Sequence, residues 1–192
     1  MTKETALIVI DLQEAMRADR DAGYPWANPD APQTAGRILA AFRAAGLPVW
    51  HVHHNGTDPA DGFHPDNPLV VAMPEVAPIE GEPVVVKLGS SAFIGTGLES
   101  KLREAGLTRL VIVGGEANMC VESTTRMAGN LGFDTTVVAD ALVNFQRTLR
   151  GGRVMPPETV LDMTLANMTS FARIVDSAAV LAEVSAESPA AP

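Results

Sequence analysis

Short apolar runs alternate with longer amphipathic segments along the chain. Residues 6–10 form a continuous apolar run, which is typical of a parallel strand that other structure covers on both faces. Residues 34–45 carry apolar side chains at helical spacing, and Gly46 follows them as a residue that commonly ends a helix. The pattern therefore predicts a buried strand followed, after a connection, by an amphipathic helix.

The same alternation predicts five more strands and three more helices. The strands are predicted at residues 47–53, 84–87, 110–113, 135–139 and 172–175, and the helices at residues 96–106, at 118–131 and from about 156 onward. This order predicts an α/β fold, a single-domain three-layer sandwich with helices on both faces of a six-stranded parallel sheet. Residues 1–192 are assigned to one domain, with a frayed tail at about 186–192.

Two connections are long for a compact domain. They cover residues 19–33 and 55–82, and both contain prolines and aromatic or histidine side chains. Connections of this length commonly act as lids or binding loops. We therefore expect substrate contacts from both.

Composition restricts the class of partner. Of the 192 residues, 46% are apolar and 19% are charged, and the formal net charge is −9, which disfavours nucleic acid or an anionic membrane as the main partner. No apolar run approaches the ~18 residues that span a bilayer, and the N-terminal run is too short for a signal peptide. The single cysteine excludes an intrachain disulfide and favours a reducing compartment, so a cytoplasmic location is expected.

Three chemically complementary side chains fall at the ends of predicted strands. Asp11 follows the first strand, Lys87 ends the third, and the turn after the fourth leads to Cys120. Taken singly, they have ordinary roles as a turn aspartate, a surface lysine and a small buried side chain. Ligands of open parallel sheets bind beyond the carboxyl ends of the strands, so an acid, a cation and a thiol at one edge together favour a reactive site.

The turn before the cysteine also suits chemistry. Gly114 and Gly115 allow the backbone to turn sharply, and Asn118 is a good N-cap that would place Cys120 in the first turn of a helix. There the helix dipole and the charge of Lys87 are expected to favour the thiolate. Backbone N–H groups at the same turn could form an oxyanion hole.

An ordered set of short motifs extends from residue 6 to about residue 184. The motifs are Ile10-Asp11-Leu12-Gln13, Val86-Lys87, Ser91-Ala92-Phe93, Gly95-Thr96, Leu98, the glycine turn before Cys120-Val121-Glu122-Ser123-Thr124, Gly132-Phe133 and Ala139-Asp140-Ala141. In this order they resemble the isochorismatase-like cysteine hydrolases, a family that includes nicotinamidases and N-carbamoylsarcosine amidases.

This resemblance implies a sheet of strand order 3-2-1-4-5-6 and a set of catalytic roles. Cys120 would be the nucleophile, Asp11 the acid and base, and Lys87 the cation that stabilises both. The peptide bond before Glu116 would be cis, and the backbone N–H groups of Glu116 and Cys120 would form the oxyanion hole. The implied reaction cleaves a C–N bond in a small amide, carbamoyl or lactam substrate through a thioester.

The chain departs from its relatives at two places. Ala117 stands where many members have threonine, and we expect altered substrate contacts there. Nicotinamidases hold a divalent metal with an Asp-x-His pair, whereas this chain has His51 and His53 on one strand and His64 on the following loop. We predict no metal and no other cofactor, with a divalent metal near His51 and His53 as the alternative.

Substrate contacts and partners are predicted more loosely. The candidate substrate-binding residues are Gln13, Tyr24, Trp26, His53, Phe93, Met119 and Phe145, although the aromatic members could equally pack in the core. The expected partners are a small amide-like substrate and further copies of the chain, as a homodimer or homotetramer. Two alternative functions are an isochorismatase-type vinyl ether hydrolase, against which Cys120 argues, and a non-catalytic ligand-binding protein, against which the complete trio argues.

Overall fold

A computed structural model describes residues 1–187 of the chain. The strands are β1 (Thr5–Ile10), β2 (Trp26–Ala27), β3 (Val49–His54), β4 (Val84–Lys87), β5 (Arg109–Gly114), β6 (Asp134–Leu142), β7 (Asn144–Phe145), β8 (Arg147–Thr148), β9 (Val154–Met155) and β10 (Arg173–Val175). The α-helices are α1 (Glu14–Asp21), α2 (Ala31–Ala44), α3 (Leu98–Glu104), α4 (Glu122–Asn130), α5 (Pro157–Met168) and α6 (Ser177–Glu187).

A six-stranded sheet in the order β10-β6-β5-β1-β3-β4 forms the centre of the fold. Each neighbouring pair of strands in it is parallel. These strands correspond to the six predicted from the sequence, and renumbered in that way their order is 3-2-1-4-5-6. The predicted α/β fold and strand order are therefore confirmed.

The apolar run of β1 is buried because its side chains enter two separate cores. Leu7 and Val9 pack into a core that includes apolar side chains of α2 and α6. Ile8 and Ile10 point the other way, into a core that includes side chains of α3, α4 and α5. A strand covered on both faces has no solvent-facing side, which explains why residues 6–10 show no alternation with polar residues.

The two long connections and the segment before the first one contain more structure than the sequence predicts. Helix α1 covers residues 14–21 and ends inside the first connection, where β2 pairs with β7 in a small antiparallel sheet. Residues 55–82 include two 3-10 turns, at Pro68–Val70 and Pro74–Val76. Helix α1 was missed because it is short and strongly charged, and its apolar side is narrow, with only Ala15 and Met16 buried.

The C-terminal helix reaches into the predicted tail. Helix α6 includes residues 186 and 187, and the rest of the predicted frayed tail, residues 188–192, lies outside the described residues. Among the helices of residues 1–187, none combines the length and apolar character needed to cross a membrane.

Candidate active site

The ends of β1 and β5 meet so closely that only glycine fits between them. Ile10 pairs with Gly114, whose φ is +130°, and a Cβ on Gly114 would lie 2.0 Å from the carbonyl oxygen of Ile10. The N–H of Gly115 then donates to that same carbonyl at 2.9 Å. This close approach brings Asp11, the residue after β1, beside the turn that leads to Cys120.

The three side chains predicted from the strand ends are in direct contact. The Nζ of Lys87 lies 2.6 Å from Oδ2 of Asp11 and 3.2 Å from Sγ of Cys120. Strand β3 lies between β1 and β4, so the long stem of Lys87 extends past it, and the side chain is 0% exposed. The structure therefore gathers a thiol, a carboxylate and an ammonium into one cluster.

Burial changes the protonation of this cluster. Burial raises the pKa of Asp11 to about 6, against the opposing effect of the Lys87 charge. Burial and the adjacent Asp11 charge raise the pKa of the Cys120 thiol to about 12, although Lys87 favours the thiolate. One ammonium faces two potential anions, so the cluster keeps a single negative charge, on the more acidic carboxylate. The surroundings thus raise the pKa of the Cys120 thiol and favour its neutral form in the free protein, in contrast to the thiolate expected from the sequence.

The Asp11 carboxylate has few hydrogen-bond donors. It contacts the Lys87 ammonium and the Cys120 thiol, and no other donor within residues 1–187 reaches its two oxygens. Its backbone adopts a left-handed conformation with φ 51°, which aspartate tolerates better than most residues. A buried carboxylate with so few donors is held less firmly in its ionised form, so it can accept a proton.

A tight turn carries Cys120 into the cluster. The peptide bond between Gly115 and Glu116 is cis, and residues Ala117–Val121 form a π-helical turn that continues into α4. Within the described chain no acceptor pairs with the backbone N–H of Glu116. The sequence predicted Asn118 as the N-cap, but Asn118 lies inside this helix, because the N-cap is Glu116, two residues earlier. Cys120 still lies in the first turn.

The cluster opens into a cavity of about 340 Å³, a volume that suits a small ligand. The cavity is lined by Asp11, Met16, His54, Asp61, Phe63, Leu88, Gly89, Ser90, Glu116, Met119 and Cys120. A neighbouring cavity of about 550 Å³ shares the walls formed by Met16, Phe63 and Glu116. The sulfur is therefore accessible, while the lysine lies beneath it.

Sequence comparison identifies the family. The family model for the isochorismatase domain matches residues 5–179, which contain the whole cluster. The chain belongs to the isochorismatase family. It is a hydrolase of that family, as the resemblance predicts.

Individual relatives extend this assignment over most of the chain. The isochorismatase family protein YrdC of Bacillus subtilis (strain 168) is 34% identical over 176 residues, which cover 91% of this chain and 93% of the relative. The ureidoacrylate amidohydrolase RutB of Pseudomonas syringae pv. syringae (strain B728a) is 32% identical over 173 residues, covering 72% and 70%. A solved isochorismatase-family structure from Chromobacterium violaceum ATCC 12472 superimposes with a TM-score of 0.91 at 38% identity, covering 96% of this chain and 95% of the other.

Three of the predicted substrate-binding residues line a cavity in this isochorismatase-family chain. Met119 lies in the wall of the cavity that contains the Cys120 sulfur and is 46% exposed. Tyr24 and Phe145 line the neighbouring cavity. Tyr24 is 55% exposed, whereas Phe145 is largely buried, so Tyr24 is the aromatic side chain of this pair with surface to offer a ligand.

Gln13 is placed away from the cavity and holds two backbone segments together. Its Oε1 accepts from the N–H of His54 at 2.8 Å, and its Nε2 donates to the carbonyl oxygens of His54 and Val70 at 3.0 and 2.7 Å. The side chain is fully buried. Gln13 thus fixes the end of β3 and positions His54 at the cavity.

Trp26, Phe93 and His53 are also absent from the cavity walls that the structure describes. Trp26 packs edge-on against Phe145 at 5.9 Å, and Phe93 stacks on Phe133 at 5.8 Å. His53 is half-buried, and burial lowers its pKa to about 4. These aromatic rings serve packing, the role that the sequence left open for them.

Two of the histidines considered for a metal site, one on β3 and one on the loop after it, lie beside carboxylates. Nε2 of His51 lies 2.8 Å from Oε2 of Glu82, and Nδ1 of His64 lies 3.8 Å from Asp66. No group of three or more side chains with metal-binding chemistry occurs within residues 1–187. The rings of His51 and His53, the pair considered for a metal, are 6.4 Å apart between centroids.

Several residues of the two cavities come from separate segments of the chain, and the sequence did not predict that they lie together. Asp61 and Phe63 come from the long connection, and Ser90 comes from the loop after β4. The sequence weakly indicated that His54 contacts substrate, since it lies next to His53 at the end of a predicted strand. Arg147 had no indication in the sequence, because its importance depends on a contact with Glu116, 31 positions away.

Proposed function

We propose that this chain hydrolyses a C–N bond in a small amide, carbamoyl or lactam substrate, with Cys120 as the nucleophile. The observation that carries the proposal is the position of the Lys87 ammonium, 2.6 Å from the Asp11 carboxylate and 3.2 Å from the Cys120 sulfur. The cluster borders a cavity of suitable size. Amide cleavage needs a nucleophile, a proton donor for the amine and a stabilising cation, and the cluster contains all three.

In the first half-reaction the thiol proton passes to Asp11. The resulting thiolate, stabilised by Lys87, attacks the substrate carbonyl carbon and forms an S–C bond. The backbone N–H groups of Glu116 and Cys120 donate to the oxyanion that develops. Asp11 then gives its proton to the substrate nitrogen as the C–N bond breaks, because an unprotonated amide anion is a poor leaving group. Amine or ammonia departs, and a thioester remains.

In the second half-reaction water replaces the amine. Asp11 accepts a proton from a water molecule while the water oxygen attacks the thioester carbonyl carbon. The S–C bond then breaks and releases the carboxylic acid product. The proton on Asp11 returns to the sulfur. A carboxyl whose pKa burial raises to about 6 suits this work, since it can both accept and release a proton near neutral pH.

The relatives and the composition support this reaction. RutB, named a ureidoacrylate amidohydrolase, is 32% identical to this chain, and its name denotes cleavage of a C–N bond. The proposed chemistry uses only side chains and backbone groups of the chain, so it requires no cofactor. It does require Cys120 to stay reduced, which is consistent with a cytoplasmic location.

The proposal is tested with a panel of small carboxamides, ureido compounds and lactams, in which release of ammonia or amine is measured. We expect at least one member to be hydrolysed, and Cys120→Ala to reduce the rate by about 10³-fold or more. Mass spectrometry of acid-quenched enzyme is expected to show the acyl group of the substrate on Cys120.

Two outcomes would contradict the proposal. One is Cys120→Ala protein that releases amine at the wild-type rate, which would remove the thioester. The other is hydrolysis of a vinyl ether substrate by that variant without amide cleavage by the wild type, which would favour the vinyl ether reaction.

A further inference from the structure

We propose that Arg147 is a positioning residue that holds the oxyanion turn, defined here as residues 115–119, through the carboxylate of Glu116. The inference rests on the proposed function, since it concerns the donors that stabilise the tetrahedral intermediate. It assigns a role to a residue outside the thiol, carboxylate and ammonium cluster. Arg147 touches none of the three reactive groups in the contacts described for residues 1–187.

The segment at residues 143–147 lies along the oxyanion turn and bonds to it repeatedly. The carbonyl oxygen of Val143 accepts from the N–H of Ala117 at 2.9 Å. The Oδ1 of Asn144 accepts from the N–H of Asn118 at 3.1 Å. These bonds fix the middle of the turn through its backbone.

The Glu116 end of the turn is held through a side chain. Phe145 donates its backbone N–H to Oε1 of Glu116 at 3.1 Å, and Nη2 of Arg147 donates to Oε2. The same Nη2 also contacts Oδ1 of Asn118 at 3.3 Å and Sδ of Met119 at 3.1 Å. One guanidinium nitrogen therefore contacts three side chains of the oxyanion turn, those of Glu116, Asn118 and Met119.

The energetics favour a geometric role for this ion pair. The Arg147 side chain is 35% exposed and that of Glu116 is 13% exposed, and partly exposed pairs contribute little to global stability. The direction of the Glu116 N–H, in contrast, is important for the rate, because a donor stabilises an oxyanion only when it points toward it. A displacement of about 1 Å can cost about 10²-fold in rate. Loss of Arg147 should therefore affect acyl transfer more than folding.

Two small reagents that react with Cys120 distinguish a role of Arg147 in positioning the oxyanion donors from a role in positioning the sulfur itself. 4-Nitrophenyl acetate acylates the sulfur through a tetrahedral oxyanion, forming an S–C bond and releasing 4-nitrophenolate. Iodoacetamide alkylates the same sulfur by direct displacement of iodide, without an oxyanion. Both rates are measured for wild type, Arg147→Met and Arg147→Lys.

A matched control is available on α4. Arg126 pairs with Glu122 at 2.7 Å and its side chain is 39% exposed, so Arg126→Met removes a similar ion pair away from the oxyanion turn. We expect Arg147→Met to lower the acylation rate about tenfold or more and to leave alkylation within about twofold. Arg147→Lys should recover part of the acylation rate, and Arg126→Met should change neither rate by more than about twofold.

Three results would overturn the proposal. Unchanged acylation in Arg147→Met would mean that the turn holds its geometry alone, or that Arg147 serves only a larger substrate. A parallel fall of acylation and alkylation would mean that the sulfur itself has moved. Equal loss in Arg126→Met would indicate general destabilisation. Failure of the proposed function is seen separately, as acylation that survives in Cys120→Ala.

Discussion

Two carboxylates beside cations, one buried and one partly buried, behave in opposite ways in this protein. Asp11, at the end of β1, lies 2.6 Å from the ammonium of Lys87. Glu82, just before β4, lies 2.8 Å from the guanidinium of Arg43 and 2.8 Å from Nε2 of His51. The Asp11 side chain is 1% exposed and that of Glu82 is 11% exposed, yet burial and neighbouring groups shift their pKa values in opposite directions.

The depth of burial and the number of hydrogen-bond donors together explain the difference. Burial raises the pKa of both carboxyls, but Glu82 accepts two bonds from Arg43 at 2.8 Å and one from the N–H of Ile79 at 3.0 Å. These bonds and the contact with His51 lower its pKa to about 2. At Asp11 burial prevails over Lys87, and the pKa rises to about 6.

One cation is therefore insufficient to keep a fully buried carboxylate strongly acidic. Glu82 has enough donors to stay ionised and serves to connect β3, the β4 edge and α2. Asp11 has a single cation and a thiol, and it borders the cavity that contains the sulfur. The sparsely bonded carboxylate is suited to carry protons, and the fully bonded one is suited to hold structure.

The largest effect that would test this contrast is the loss of Asp11. We expect Asp11→Asn to lower kcat/KM for amide hydrolysis by about 10³-fold, because the thiol loses its proton acceptor and the amine its proton donor. Steady-state assay with the best amide substrate measures the change. Circular dichroism verifies that the fold is retained.

Asp61→Asn is a matched control in the same cavity. The Oδ1 of Asp61 accepts from the N–H of Phe63 at 2.9 Å, and an asparagine oxygen can accept the same bond. We expect this variant to retain activity within about fivefold. Equal losses in both variants would mean that the cavity needs negative charge in general, and that Asp11 has no special role.

The reactive cluster was predictable because its position depends on topology. Parallel strands end at a common edge, so Asp11, Lys87 and Cys120 could be placed together from the ends of apolar runs. The protonation of the cluster was not predictable, since it depends on burial. Nor were Asp61 and Phe63, because the path of a long connection is set by tertiary contacts such as those of Gln13 and not by local pattern.

The next effect is the acid limb of the pH–rate profile. Asp11 must be ionised to accept the thiol proton, so activity is lost as pH falls through its pKa. Because burial raises that pKa to about 6, kcat/KM should fall about tenfold for each pH unit below about 6. An ordinary aspartate would place the limb near pH 4. An acid limb near pH 4 would mean that the pKa of Asp11 is not raised, and would remove the proposed contrast with Glu82. An acid limb at the same pH in Glu82→Gln as in the wild type would strengthen that contrast.

The smallest effect concerns stability and belongs to Glu82. Its pKa is lowered to about 2 in the fold, so its ionised form stabilises the protein above about pH 4.5 and loses that contribution as pH falls toward 2. Glu82→Gln should therefore reduce the free energy of unfolding by about 1–2 kcal/mol at pH 7, after allowance for solvent screening, and by less at pH 3.5. Urea unfolding of both proteins at the two pH values measures this. An equal loss of stability at both pH values would assign the effect to packing and not to charge. A loss that is smaller at pH 3.5, together with a kcat within about twofold of wild type, would show that the Glu82 carboxylate stabilises the fold and takes no part in catalysis.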